Sequence, residues 1–267
     1  MISQAINLEP LYPGLALDEK IRKVAAEGFK EVEFWGWEQL DLKKVRKTCE
    51  ETGVRIRAFS GTKEWSLCDV AHRTEYMEWI QKSIVAAKAL DCDTLILFPN
   101  HFTSNGCADF RKQYSQDAMI ANITATLTML VPILEKNHMT VLLEPLANVG
   151  IDEGMAVTDT SQGVAIVQAV GNPHVQLLCD VFHMQMMHGN LLNNILLNLD
   201  IVHYIHIADA PDRHEPGTGE INLDYLAEQI QNSEFNGTIC MEYFPAEETE
   251  KGISKVKKFL NNFKQEI

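Results

Sequence analysis

Four apolar runs in the second half of the chain end on, or carry, a residue able to hold a cation. "VLLE" closes on Glu144, "QLLCD" on Asp180 and "TICME" on Glu242, while "VHYIHIAD" carries His206. Each alone has an ordinary explanation. A glutamate before a proline starts a turn, an aspartate after an apolar run caps a helix, and a lone strand histidine is usually a hydrogen-bonded core residue. Together they read differently. Three carboxylates gathered in a partly buried mouth repel one another strongly unless something positive joins them. A divalent cation removes that cost. Oxygen ligands with one imidazole suit Mg²⁺, Mn²⁺ or Co²⁺, and suit zinc less in the absence of cysteine ligands. Glu144, Asp180, His206 and Glu242 are therefore the expected metal ligands.

Such a site requires a scaffold that brings the four run-ends to one place. Strand-like runs occur at 4–8, 31–34, 54–59, 94–98, 140–144, 175–180, 202–209 and 237–242. Helical patterns lie between them. One ends at Gly28 and the next at Gly53, both C-cap signals; others run through 70–90, 117–137, 161–170, 190–199, 223–231 and 250–265. Eight strands alternating with eight helices predict a (β/α)8 TIM barrel across residues 1–267, with its active site at the C-terminal strand ends. A doubly wound sheet is the alternative, but "NLEPLYPGLALDE" after the first strand has no G-x-G-x-x-G phosphate loop. No internal repeat suggests a solenoid. Adjacent strands lie about 4.8 Å apart, close enough for neighbouring ends to share one ion. Strand alternation puts Glu144 on the face of Leu142, Asp180 with Leu178, His206 with Tyr204 and Glu242 with Cys240.

Bulk properties narrow the function. The formal net charge is −14, which opposes binding to a nucleic-acid polyanion. The basic clusters "KKVRK" and "KVKK" fall on helical patterns as solvated faces. No apolar run approaches the ~20 residues of a membrane span, and "MISQAINLEP" has no secretory signal pattern. Six scattered cysteines without C-x-x-C fit a reducing cytoplasm.

At these residues the chain resembles the xylose-isomerase-like TIM barrels, and within them the hydroxypyruvate isomerase family. "HIADAPDRHEPGTGEIN" (206–222) carries most of the likeness, with "DVFHMQ", "LLEPLAN" and "EFWGW". The resemblance implies that Glu144 and Glu242 form an acid/base pair as well as binding metal. It implies that His183, on the loop after Asp180, and Arg213 contact substrate oxygens. Two features depart from the family: His206 stands where hydroxypyruvate isomerases typically have Gln and ketose 3-epimerases have His, and "NVGIDEGMAVTDT" lacks the usual D-x-P-G-Y phrase.

The implied chemistry is proton transfer next to a carbonyl. Returning the proton to the neighbouring carbon interconverts a hydroxy-aldehyde and a hydroxy-ketone; returning it to the same carbon from the other face gives an epimer. The leading expectation is an isomerase of hydroxypyruvate or a related oxo-acid or sugar. A ketose 3-epimerase, a metal-dependent lyase or dehydratase, and a non-catalytic sugar-binding barrel are the alternatives. The net charge and single ligand cluster oppose an endonuclease. An Arg213 fork favours a carboxylate-bearing substrate over a neutral hexulose.

Further expectations concern the rim. Trp35 and His101 are expected to touch substrate, Trp35 as an apolar wall. Glu33 is a weaker rim candidate. Trp37 is expected to pack on the first helix instead, and His188 to be a loop residue. Glu220 or His214 is expected to tie down the loop "PDRHEPGTGE", which either fixes the rim or contacts another subunit of a homo-oligomer.

Overall fold

The register of the strands explains how four distant run-ends meet. In the computed structural model, which describes residues 2–263, eight parallel strands close on themselves. They are β1 (Ser3–Asn7), β2 (Glu31–Phe34), β3 (Arg55–Ser60), β4 (Thr94–Leu97), β5 (Thr140–Leu143), β6 (Val175–Asp180), β7 (Val202–Ile207) and β8 (Thr238–Met241). Each pairs with its sequence neighbours, and β8 pairs with β1 to complete the barrel. The fold is the expected (β/α)8 barrel.

Each strand is followed by at least one helix: α1 (Leu17–Ala26), α2 (Leu42–Thr52), α3 (Arg73–Ala89), α4 (Gln116–Asn137), α5 (Thr160–Val170), α6 (Val181–Met187), α7 (Leu191–Leu196), α8 (Leu223–Gln231) and α9 (Thr249–Leu260). Local chemistry sets their ends. Asp41 caps α2 by accepting from Lys44 N–H at 3.1 Å. Gly53 closes it at φ 68°, a conformation that glycine enters without a Cβ penalty. The last expected helix, 250–265, is observed to Leu260, and its final two residues lie outside those described.

Several boundaries differ from the sequence reading. Strands β4, β5, β7 and β8 end one or two residues early, at Leu97, Leu143, Ile207 and Met241. The segment after Asp180 is the helix α6, not a loop. A short hairpin of Phe102–Thr103 and Gly106–Cys107 stands above β4, and a 3-10 turn spans Gly150–Asp152. The 22-residue α4 is apolar enough to cross a membrane by length and composition alone. Here Met119, Ile123, Leu127, Leu130 and Leu134 lie buried in the core.

Two cores result from strand alternation. Leu142, Leu178, Tyr204 and Cys240 fill the barrel interior with Ala5, Ala58 and Ile96. Leu143, Cys179, Ile205 and Met241 point outward to the helices. The faces are those the alternation predicted, so the polar residues two positions on from the interior set sit at the barrel's upper mouth. Leu178 is fully buried in the smaller interior cluster. Leu178→Ala is expected to lower unfolding stability by about 2–5 kcal/mol, read from urea denaturation; a loss below 1 kcal/mol would show that this layer collapses freely.

Candidate active site

Backbone pairing fixes the four expected ligands. Asp180 and His206 are register partners across β6 and β7. Glu144 and Glu242 lie one residue past their strands, yet the ladder continues. Glu144 N–H donates to Leu97 O at 3.1 Å, and Glu242 N–H to Ile207 O at 3.1 Å. His206 Nδ1 then lies 3.2 Å from Glu144 Oε1, 3.0 Å from Glu242 Oε2 and 3.8 Å from Asp180 Oδ2. One donor atom from each of the four lies within 4.8 Å of the others, and all four residues are buried.

The electrostatics favour positive charge at this cluster. Burial raises the Glu144 carboxyl to about 8. Burial acts the same way on Glu242, but Arg213 and His206 outweigh it and hold that carboxyl below the usual range. Burial disfavours charge on His206, yet Glu33, Glu242 and Glu144 prevail and raise its pKa well above the ordinary value. Three buried carboxylates thus draw positive charge to one point. With its Nε2 side turned to Glu33 at 3.0 Å, His206 aims Nδ1 at that point. The donor set fits a divalent cation: three oxygens and one imidazole nitrogen, converging from four adjacent strands.

Asp180 does two things. Its Oδ1 accepts from His183 N–H at 3.1 Å and caps α6. Its Oδ2 faces the cluster and accepts from Arg213 Nη2 at 2.8 Å. The capping role and the ligand position coexist because a carboxylate has two oxygens.

His183 and Arg213 both reach the mouth. His183 is buried on the first turn of α6, and its Nδ1 accepts from Ala147 N–H at 3.2 Å. Burial lowers its pKa to about 4, so near neutral pH the ring carries its proton on Nε2. That nitrogen lies 3.6 Å from Asp180 Oδ2. Arg213 adopts φ 57° and lies over the Phe182 ring at 5.1 Å. Its Nη2 also donates to Glu242 Oε2 at 2.5 Å. Two carboxylates therefore already balance the guanidinium, while its buried Nε has no hydrogen-bond partner among the described residues. This weakens the argument that Arg213 selects an acidic substrate.

The cavity above the cluster has a volume of about 590 Å³, and Trp35, Glu144, His183, Arg213 and Glu242 line it. Trp35 lines the cavity wall and donates from Nε1 to Glu242 Oε1 at 2.7 Å. His101 does not line the cavity. Its Nδ1 pairs with Ser66 Oγ at 2.8 Å and its ring stands against Phe110 at 6.4 Å, so it braces the segment before the hairpin. Trp37 packs on α3 rather than on the first helix, stacked on Trp79 at 5.4 Å and donating to Ser83 Oγ at 3.1 Å. His188 ends α6 outside the cluster, 3.6 Å from Asp159.

Three residues of the site had no distinctive sequence signal. Asp152, on the 3-10 turn, lines the cavity with its Oδ2 3.9 Å from His183 Nδ1, and burial raises its carboxyl to about 6. Asp209 lies buried beneath the loop that carries Arg213. It accepts backbone N–H bonds from Ala210 (3.0 Å), Gly217 (3.1 Å), Thr218 (3.1 Å), Gly219 (2.8 Å) and Ile221 (3.0 Å). A Cβ at Gly219 would collide with the Ala210 carbonyl and the Asp209 carboxylate, so only glycine lets the loop close this tightly. Buried Glu215 holds the far side through Ala246 N–H and Lys255 Nζ, both at 3.0 Å. His214 also ties the loop, to Phe244 O at 2.7 Å, and Glu220 closes it with its N–H on Ala210 O at 2.9 Å while its side chain accepts from Gln185 Nε2 at 3.1 Å.

A barrel with these four residues at its mouth defines a class. A family model for the xylose isomerase-like TIM barrel matches residues 21–263, and the chain belongs to that family. Among curated relatives, the hydroxypyruvate isomerase of Escherichia coli (strain K12) is 28% identical over 260 residues, covering 95% of this chain and 97% of the relative. The 2-oxo-tetronate isomerase of Cupriavidus necator is 24% identical over 265 residues, covering 96% and 98%. Among solved structures, a family 2 AP endonuclease from Brucella melitensis superposes with TM-score 0.86 at 24% identity, covering 97% of this chain and 99% of that one. The 3-keto-D-glucoside 4-epimerase YcjR of E. coli gives 0.84 at 20%, covering 98% and 100%. The IOLI protein with a bound zinc atom gives 0.80 at 17%, covering 98% of each chain. The structural neighbours share the fold.

Binding of one ion to the native state is expected to stabilise it. At an ion concentration 100-fold above Kd, Tm should rise by roughly 5–10 °C. Asp180→Asn should largely remove the rise in a thermal scan with Mn²⁺. An equal rise in that variant would place the ion elsewhere.

Proposed function

We propose that the protein is a metal-dependent isomerase that interconverts a small hydroxy-aldehyde and hydroxy-ketone through an enediolate. Hydroxypyruvate, tartronate semialdehyde, or a related oxo-acid or sugar is the proposed substrate. The observation that carries this reading is the position of Glu144 and Glu242. They leave β5 and β8, on either side of the two strands that supply Asp180 and His206, and both end at one buried cluster under an open cavity. The hydroxypyruvate and 2-oxo-tetronate isomerases among the relatives support the reaction class. Six free cysteines fit the proposed cytoplasmic setting.

In this reading Glu144, Asp180, His206 and Glu242 hold a divalent ion, Mn²⁺ or Mg²⁺ by preference and Co²⁺ as a third choice. The ion, when bound, supplies positive charge where the carbonyl oxygen becomes negative. The protein's own groups do the rest. One of Glu144 and Glu242 takes the proton from the carbon beside the carbonyl and the other returns one to the former carbonyl carbon, while the proton of the neighbouring hydroxyl passes to the former carbonyl oxygen. His183 Nε2–H and the Arg213 guanidinium donate to substrate oxygens and orient the substrate between the glutamates. Trp35 holds Glu242 and excludes water from one side.

Epimerisation of a ketose is the second reading. It is favoured by His206, where 3-epimerases resemble this chain, and by the two carboxylates that already neutralise Arg213. The same proton-transfer pair serves both reactions, so the destination of the proton separates them. Hydroxypyruvate, tetronates and free ketoses incubated with Mn²⁺ in D₂O are expected to take up deuterium, with carbonyl migration visible by NMR. Deuterium at a carbon whose configuration inverts, with the carbonyl in place, would establish the epimerase instead. Glu144→Gln and Glu242→Gln should each lower turnover at least ~100-fold, because an amide does not shuttle a proton. Near-normal turnover in either variant would remove that residue from the pair.

Arg213→Ala offers a separate test of substrate charge. A greater loss of kcat/KM on an oxo-acid than on a ketose is expected if the substrate carboxylate contacts Arg213. Equal losses would assign the residue to holding Asp180 and Glu242.

A further inference from the structure

Beneath the cluster, Glu33 is a buried carboxylate with every oxygen engaged. Asn7 Nδ2 donates to its Oε1 at 2.6 Å, and Tyr204 OH donates to its Oε2 at 2.7 Å. His206 Nε2 lies 3.0 Å from the same Oε2. The backbone prepares this arrangement. Asn7 and Glu33 are register partners across β1 and β2. The β2–β3 register shifts between Val32 and Glu33, which sets Glu33 against the small Ala58 of the barrel interior. Irregularities of this kind re-aim side chains beside active sites. Asn7 Nδ2 also reaches Glu242 Oε1 at 3.1 Å, so one amide links Glu33 to a second ligand of the cluster.

Glu33, His206 and Cys240 could themselves be read as a cation site, since one donor atom from each lies within 4.8 Å of the others. The hydrogen bonds argue against it. Three donors already satisfy Glu33, and burial drives the Cys240 thiol up, keeping it protonated and a poor ligand. Glu33 is an acceptor serving its neighbours.

We propose that Glu33 is a positioning residue acting through His206. By accepting from Nε2–H it fixes the imidazole with Nδ1 toward Glu144, Asp180 and Glu242, and so sets how tightly the site holds a transition-metal ion. The inference rests on the metal reading above. A ligating histidine whose other nitrogen donates to a carboxylate is held in orientation and is the stronger donor, and loss of such a partner costs about 10–100-fold in metal affinity. Imidazole donation matters more to Mn²⁺ than to Mg²⁺, which relies on oxygen ligands. Glu33 therefore tunes selectivity as well as affinity.

The test titrates the full chain, freed of metal by chelation, with Mn²⁺ and separately with Mg²⁺ in a calorimeter. Glu33→Gln keeps the shape but loses the charge; Glu33→Asp keeps the charge but falls short of Nε2. In both variants Mn²⁺ affinity is expected to fall about 10–100-fold, and Mg²⁺ affinity by less. In a His206→Ala background, Glu33→Gln should add less than about a twofold change, because its effect passes through the imidazole. Wild-type Mn²⁺ affinity in a folded Glu33 variant would overturn the proposal, as would the same loss with and without His206. Failure of the wild-type chain to bind either ion would sink the metal reading itself and this inference with it.

Discussion

Mutual repulsion among buried carboxylates is the constraint that organises this molecule. Glu144, Asp180 and Glu242 are carried into the interior mouth of a barrel, where poor solvation makes like charges expensive. Every nearby cationic or hydrogen-bonding group is arranged around them. His206 Nδ1 sits among all three, Arg213 bridges two, and Trp35 and Asn7 both donate to Glu242 Oε1. A divalent ion would fit this pattern, since it concentrates more charge at one point than an imidazolium or guanidinium does.

The same constraint explains why the surroundings are stiff. The four clustered side chains on adjacent strands keep their spacing because the ladder hydrogen bonds extend one residue beyond β5 and β8. Arg213 stands on a loop, where precision is harder to obtain. The loop obtains it from two buried carboxylates: Asp209 gathers five backbone N–H groups, and Glu215 anchors the far side to the segment after β8. A residue at positive φ, as Arg213 is, holds that conformation when the chain on either side of it is fixed in this way.

Charge balance also bears on substrate choice. Asp180 and Glu242 already occupy the guanidinium of Arg213, and Asp152 adds a further carboxylate to the wall. The mouth is thus less basic than an isolated arginine would suggest. His183, neutral and with its proton on Nε2, is a hydrogen-bond donor without net charge. The polar wall suits hydroxyl and carbonyl oxygens, the groups that sugars and small oxo-acids have in common.

Sequence alone determined the barrel and the four residues that meet at its mouth, because both are written in local pattern. Alternation put Glu144, Asp180, His206 and Glu242 in line with Leu142, Leu178, Tyr204 and Cys240, and each apolar run announced its own polar end. His183, Arg213 and Trp35 line the cavity at the mouth. Tertiary structure decided what alternation does not encode. His101 turned to Ser66, while the hairpin that follows it lines the cavity. Trp37 stacked on Trp79 because α3, not α1, lies beside it. Glu33 left the rim for the floor of the site, Asp152 arrived on a 3-10 turn, and Asp209 became the hub of a loop. Each of these depends on register shifts, loop paths or contacts between residues far apart in the chain. A strand's period fixes which way a residue points; only closure of the barrel fixes what it meets there.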